Sequence, residues 1–222
     1  MVMIINILDK DTFLSNNAWS IQFFLPKEEL IISDDYRFVQ LKDIVCERKG
    51  YTSFVTVECD VNYIGLENIE SKTGRLIGFE PKLSSDIKSA SKIFCKGDIL
   101  FGRLRPNLNK VFYNDVIEQG VCSTEILVLI PNKEIVNAQY LAAILRTEIV
   151  NQRVVGLIKG AALPRVGIQD LLQMEIPLPS LRIQDGIAVK LEKQYAELEK
   201  CYKLIADIPM QIDEMISGDF LK

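Results

Sequence analysis

The apolar rhythm of the chain changes twice, and the two changes divide it. From Tyr36 to about Pro131 the apolar residues come in short runs of the strand type. Arg37-Phe-Val-Gln-Leu41 alternates, Phe54-Val-Thr-Val57 is β-branched, and Tyr63-Ile-Gly-Leu66 and Ile99-Leu-Phe101 are similar. Ile126-Leu-Val-Leu-Ile130 is continuously apolar and stops at Pro131-Asn132, the pattern of a strand buried on both faces. Turn formers separate these runs: Lys72-Thr-Gly74, Lys96-Gly-Asp98, Arg105-Pro-Asn107 and Gln119-Gly120. The spacing predicts a compact, twisted sheet domain.

Between 137 and 155 the period becomes helical. Tyr140, Leu141, Ile144, Leu145, Ile149 and Val155 fall on one face, Asn137 is placed to cap the start, and Gly156 ends it. A loop runs from Gly156 to Arg165, followed by a short helix over Ile168–Leu172. Ile176-Pro-Leu-Pro179 predicts an extended break. Beyond it, Leu181 to Ala206 reads as one helix about 39 Å long at 1.5 Å per residue. Ile187, Leu191, Gln194, Leu198, Cys201 and Ile205 recur at spacings of four and three, a coiled-coil seam with Gln194 as its polar register position. Ile208, Ile212 and Met215 continue the series, with a kink or restart expected at Pro209. A helix laid on its own domain is the alternative to a seam between two chains. The seam is preferred because the stripe is narrow and lies past the Pro-x-Pro break. Three parts result: an acidic adjunct over 1–35 with a short helix expected after Pro26, a sheet domain over 36–179, and a helix over 180–222.

Composition narrows the function. With 48% hydrophobic and 25% charged residues among 222, the chain is neither disordered nor fibrous. No apolar run reaches the roughly 18 residues of a membrane helix. Met1–Leu8 lacks a basic flank and makes a poor signal peptide. Five cysteines without a Cys-x-x-Cys read as reduced thiols of a cytoplasmic protein. The absence of any histidine removes Ser-His-Asp and Cys-His nucleophiles and the common zinc sites. A net charge of −4 argues against nucleic acid, yet residues 88–111 carry six cations against Asp98 alone, a local +5. Screening beyond about 8 Å makes the local value the relevant one.

The catalytic search comes back empty. There is no Gly-x-Gly-x-x-Gly, no phosphate loop, no Asn/Asp-Pro-Pro-Tyr/Phe and no convincing nuclease core, so no cofactor and no metal is expected. A binder fits better than a catalyst. In Lys96–Lys110 a strand is expected to carry Arg103 and Arg105 to one face, with Asn107 in the following turn and Lys110 after it. Arginine forks suit phosphate oxygens or guanine edges. Lys159 and Arg165, amid small residues, form a second basic candidate, and Ser123 and Thr124 offer hydroxyls.

Taken in order, Tyr63-Ile-Gly-Leu-Glu-Asn-Ile-Glu-Ser-Lys-Thr-Gly-Arg75, Gly97–Lys110, Cys122-Ser-Thr-Glu-Ile-Leu-Val-Leu129, Pro164-Arg-Val and Ile176–Gln184 resemble the specificity subunits of type I restriction–modification systems. The likeness covers about residues 36–206. It implies an α/β, twisted-sheet target recognition domain followed by a long coiled-coil helix, non-catalytic, reading a half-site on double-stranded DNA. It also implies an adenine methyltransferase subunit as partner, and a restriction subunit in systems that have one. Members usually carry two recognition domains and two spacer helices. One of each here implies a half-length subunit, a fragment or a single-domain partner, completed most simply as a homodimer through the Ile187–Ile205 seam. Because the arginine motif recurs among members that read different sequences, Arg103, Arg105 and Lys110 are assigned to phosphate positioning or scaffold. Base readout is expected from 76–92 and 156–165. The rival reading is a protein-interaction or regulatory module with the recognition fold that no longer reads DNA.

Overall fold

A computed structural model describes residues 36–52, 58–159 and 163–220, with side chains as far as 217. The adjunct over 1–35, the Phe54–Val57 run and Gly160–Ala162 lie outside the described residues. The described strands begin with β1 (Arg37–Gln40), β2 (Val45–Glu47), β3 (Tyr51–Thr52), β4 (Asp60–Val61), β5 (Tyr63–Ile64) and β6 (Lys82–Leu83). They continue with β7 (Ser91–Cys95), β8 (Ile99–Gly102), β9 (Val111–Tyr113), β10 (Gln119–Ser123), β11 (Ile126–Pro131) and β12 (Glu175–Leu178). The helices are α1 (Ala138–Arg146), α2 (Glu148–Val155), α3 (Ile168–Leu172) and α4 (Leu181–Phe220).

The central layer is an antiparallel sheet in the order β2-β11-β8-β9. Strand alternation sends Leu127, Leu129, Ile99 and Phe101 to one face, where they meet Tyr140, Leu141, Leu145 and Val154 of α1 and α2. Ile126, Val128 and Leu100 go to the other face and pack on Ile64, Phe94 and Cys122 of the second sheet, β3-β7-β10-β5. The layers are therefore helices, sheet, sheet. The uninterrupted apolar run of β11 follows from this, since both of its faces are covered. Desolvation pushes the Cys122 thiol between the sheets up to about 12, which leaves it an inert core residue.

Two adjacent side chains at the end of β2 fasten the second sheet to the central one. Glu47 accepts from the buried ammonium of Lys92 on β7 at 3.1 Å. Arg48 donates to both oxygens of Asp98 at 2.7 and 2.9 Å, and Asp98, 2% exposed, also accepts the Cys95 amide at 2.7 Å.

Three expectations need correction. The single helix over 137–155 is two helices, because Thr147 is extended and its hydroxyl caps α2, while Asn137 caps α1 through the amides of Gln139 and Tyr140. Ile176-Pro-Leu178 is no break: with Glu175 it forms β12, paired antiparallel with β1, where Phe38 lies opposite Pro177, and Pro179 lies just beyond the strand. A proline is tolerated there because a two-stranded ribbon leaves one side without a ladder. The last helix also runs on past Pro209 to Phe220 instead of restarting.

Nor does α4 leave the domain. Gln184 is fully buried: its carbonyl accepts the Asn137 amide at 2.8 Å, and its amide group donates to the carbonyls of Pro179 and Ile135. Ile187 packs on the main core, and Leu191 and Leu198 are half-buried, whereas Gln194, Cys201 and Ile205 are exposed. The six seam positions thus do not form one free stripe. The face that α4 turns to its own domain is centred on Gln184, Ala188, Tyr195 and Tyr202, roughly 70° around the helix from the predicted seam at 100° per residue. Asp98→Ala is expected to lower stability by about 3 kcal/mol, since it strands a buried amide and unpairs Arg48. Asp98→Asn should cost less than half of that, both read from urea unfolding midpoints.

Candidate nucleic-acid interface

Strand β8 ends at Gly102, where the neighbouring chain comes too close for a side chain. A Cβ there would lie 2.9 Å from the Leu66 side chain and 3.1 Å from the Lys110 carbonyl oxygen. Arg103 and Arg105 therefore do not share a strand face, contrary to the expectation from their spacing. The chain crosses instead to two other segments. The Arg103 amide donates to the Glu125 carbonyl at 2.9 Å, its carbonyl accepts from Val166, Leu104 bridges Arg165, and the Arg105 amide donates to Pro164 at 2.8 Å. Residues 103–105, 123–125, Lys159 and 163–166 converge in this way on one rim of the central sheet.

Arg105 sits in the left-handed region at φ 49°, and this reverses the chain into a 3-10 turn over Pro106–Leu108. The turn is held from below: Asn151 of α2 donates to the Pro106 carbonyl at 2.9 Å, and Asn109 donates to that of Arg146 at 2.7 Å. Arg105, Asn107 and Leu108 are left exposed, beside exposed Leu163.

The charges of the rim are less free than the sequence implies. Of the six cations in 88–111, Lys92 pairs with Glu47, Lys96 with Glu118 at 2.7 Å, and Lys110 donates to the Leu66 carbonyl at 2.7 Å. Arg165 grips Glu125 with a two-point fork, Nη2 to Oε1 at 2.6 Å and Nε to Oε2 at 2.9 Å. That fork holds the Glu125 carboxyl below the usual carboxylate range. Arg103 is half-buried, with an Nε that has no hydrogen-bond acceptor. Lys159 bonds both oxygens of Asp170 at 2.9 Å, but at 72% exposure this pair is screened and weak. Among the described residues no side-chain hydrogen bond or ion pair engages Arg103, Arg105 or Lys88. Ser123 accepts the Glu125 amide within the turn, and Thr124 is exposed.

The rim thus offers the exposed, unengaged guanidinium of Arg105, the half-buried and equally unengaged one of Arg103, one loosely paired ammonium, an amide and a hydroxyl, set on a braced edge. Sequence reasoning missed Glu125, which organises this edge, although it directly follows the Ser123-Thr124 pair. Of the two stretches expected to read bases, 76–92 is mostly exposed around β6 and carries Lys88, while 163–165 closes against the rim. Among the described residues no three carboxylate or thiol groups cluster to hold a metal ion, and no helix is long and apolar enough to cross a membrane.

Comparison with known proteins agrees with this architecture. The chain is 23% identical over 206 residues to the type I restriction enzyme EcoDI specificity subunit of Escherichia coli, covering 91% of this chain and 44% of that one. The HsdS subunit from Thermoanaerobacter tengcongensis shares the fold with a TM-score of 0.61 at 21% identity, over 84% of this chain and 49% of that one. The type I restriction–modification S subunit from M. genitalium does so at 0.57 and 20% identity, over 85% and 46%. The chain spans about half the length of the relatives it matches. Specificity subunits of type I systems are non-catalytic DNA-recognition proteins. Residues 33–210 match the type I restriction modification DNA specificity domain, and the chain belongs to that family.

Proposed function

We propose that the chain is a sequence-specificity subunit that reads a DNA half-site and recruits an adenine methyltransferase subunit, joined by a restriction subunit where one exists. Residues 36–179 are the recognition domain and 180–222 the spacer helix. The observation that carries this reading is the rim itself: three separated segments meet on one braced edge and present Arg105 unpaired. Arg105, Asn107, Thr124 and Lys159 are assigned to phosphate contacts. Lys110, Arg165 and Ser123 brace the edge with their side chains and Arg103 with its backbone, and base readout falls to the more exposed 76–92 stretch and the 156–165 loop. Free thiols at all five described cysteines fit a cytoplasmic location.

The second half of α4 supports pairing with another copy. Seven apolar side chains between Leu204 and Ile216 are 44–65% exposed, far more than a solvated helix face needs. A second copy would bring a second recognition domain and a second spacer helix, the pair usual in the family. Two copies joined by a two-fold axis would read a palindromic, interrupted site. The neutralised charges of the rim favour the rival protein-interaction module, and DNA binding separates the two.

Arg105→Ala is expected to weaken binding on every DNA sequence alike and to reduce the salt slope by about one. A filter-binding titration over a range of salt measures both, and no affinity in the wild type with its methyltransferase subunit favours the interaction module. Ile212→Asp should turn a dimer into monomers in sedimentation without changing the fold, because its side chain is outside the domain's own core.

A further inference from the structure

The Tyr63–Arg75 segment meets the rim through Tyr63 and Leu66, and its last five residues are tightly built. Lys72 and Gly74 both have positive φ, 68° and 69°, and fold Ser71–Arg75 into a narrow reversal. A Cβ on Gly74 would lie 2.1 Å from the Val111 carbonyl oxygen and within 3 Å of the Arg146 guanidinium. The Lys72 amide donates to the Asn109 carbonyl at 2.9 Å. This reversal presents Arg75 to the middle of α4.

There Arg75 engages three side chains at once. Its Nε donates to Glu199 at 2.5 Å, its Nη1 lies 3.5 Å from Glu70, and its guanidinium lies 3.7 Å from the centre of the Tyr202 ring. Glu70 is itself fixed by the Thr73 hydroxyl and by the Tyr202 hydroxyl, which donates to it at 3.2 Å. About two helical turns before Tyr202, Arg146 donates to the Tyr195 hydroxyl and to the Val111 carbonyl. Beyond Tyr202, every described side chain of α4 is exposed. The clamp is therefore the last hold of the domain on its helix, and Gln184 is the first.

Gln184 and Tyr202 are 18 residues apart, about 27 Å of helix, and another 18 residues follow to Phe220. The helix is a lever with its clamp at mid-length. A shift of roughly 2 Å at Tyr202 becomes roughly 4 Å at the tip, about one base-pair step of 3.4 Å.

We propose that Arg75, Glu199 and Tyr202 are positioning residues that set the number of base pairs between the two half-sites read by a dimer. The proposal rests on the dimeric DNA-reading function above. It differs from the rim in what it controls: the rim and its loops determine which bases are read, the clamp how far apart.

The test is selection from a random-sequence duplex library by the full chain with its methyltransferase subunit, followed by sequencing of the retained DNA. The wild type is expected to return one half-site at one spacing, with spacings a base pair longer or shorter at least about ten-fold rarer, a 1.4 kcal/mol preference. Arg75→Gln and Tyr202→Leu should return the same half-site with those neighbours raised to within about three-fold of the main spacing. The double variant should be no broader than either single one, and Tyr202→Phe, which keeps the ring over Arg75, should restore the wild-type spacing. Glu199→Ala, half-exposed on the helix, gives the same broadening and decides the question should Arg75→Gln not fold. An unchanged spacing in folded variants that keep the half-site overturns the clamp and leaves the recognition function standing. A wild type that enriches no DNA, or unpaired half-sites only, overturns the dimeric reading and the clamp with it.

Discussion

The structure depends on two strands, β8 and β11, being covered on both faces. A strand between two apolar layers has no room for chemistry along its length, so its backbone must be fully paired and its side chains apolar. Polar function is thereby confined to the strand ends. Gly102, the last residue of β8, lies opposite Ile126, the first of β11, and the basic rim begins one residue beyond each. The place of the candidate interface is thus a consequence of the core, and the ion pairs from Glu47 and Arg48 keep the second sheet in register with it.

Much of this was legible. The continuous run of β11, the presence of β1, the Asn137 cap, the extent of α3 and the start of α4 follow from local period and capping chemistry, which the sequence carries directly. The paired β12 was hidden because proline is a local signal, whereas the tolerance of a ribbon edge for proline is a property of its partner. Thr147 was hidden for a similar reason: the apolar period runs through it, and only the packing of α1 and α2 as separate rods shows where the axis changes. The seam of α4 was read from its largest apolar residues, but the domain holds that helix by Gln184, Tyr195 and Tyr202, polar or amphipathic groups that a count of apolar spacing passes over.

The charged residues show the widest gap between chain and fold. A local +5 over 88–111 is a correct count along the sequence, yet Glu47 and Glu118 lie outside that window and neutralise Lys92 and Lys96 within it. Charge density along a chain is a guide to a binding face only after its long-range partners are known. What survives at the rim is Arg105, exposed because a left-handed residue before a proline turns the chain outward there.

One feature of the architecture bears on how such a domain is inherited. Because β1 lies against β12, with Arg37 opposite Leu178, the polypeptide enters and leaves the recognition domain side by side. A module whose doorway serves both directions can be cut out, grafted onto another spacer or repeated in tandem without redrawing any interior connection. Recombination between genes then has junctions at hand that never touch the core.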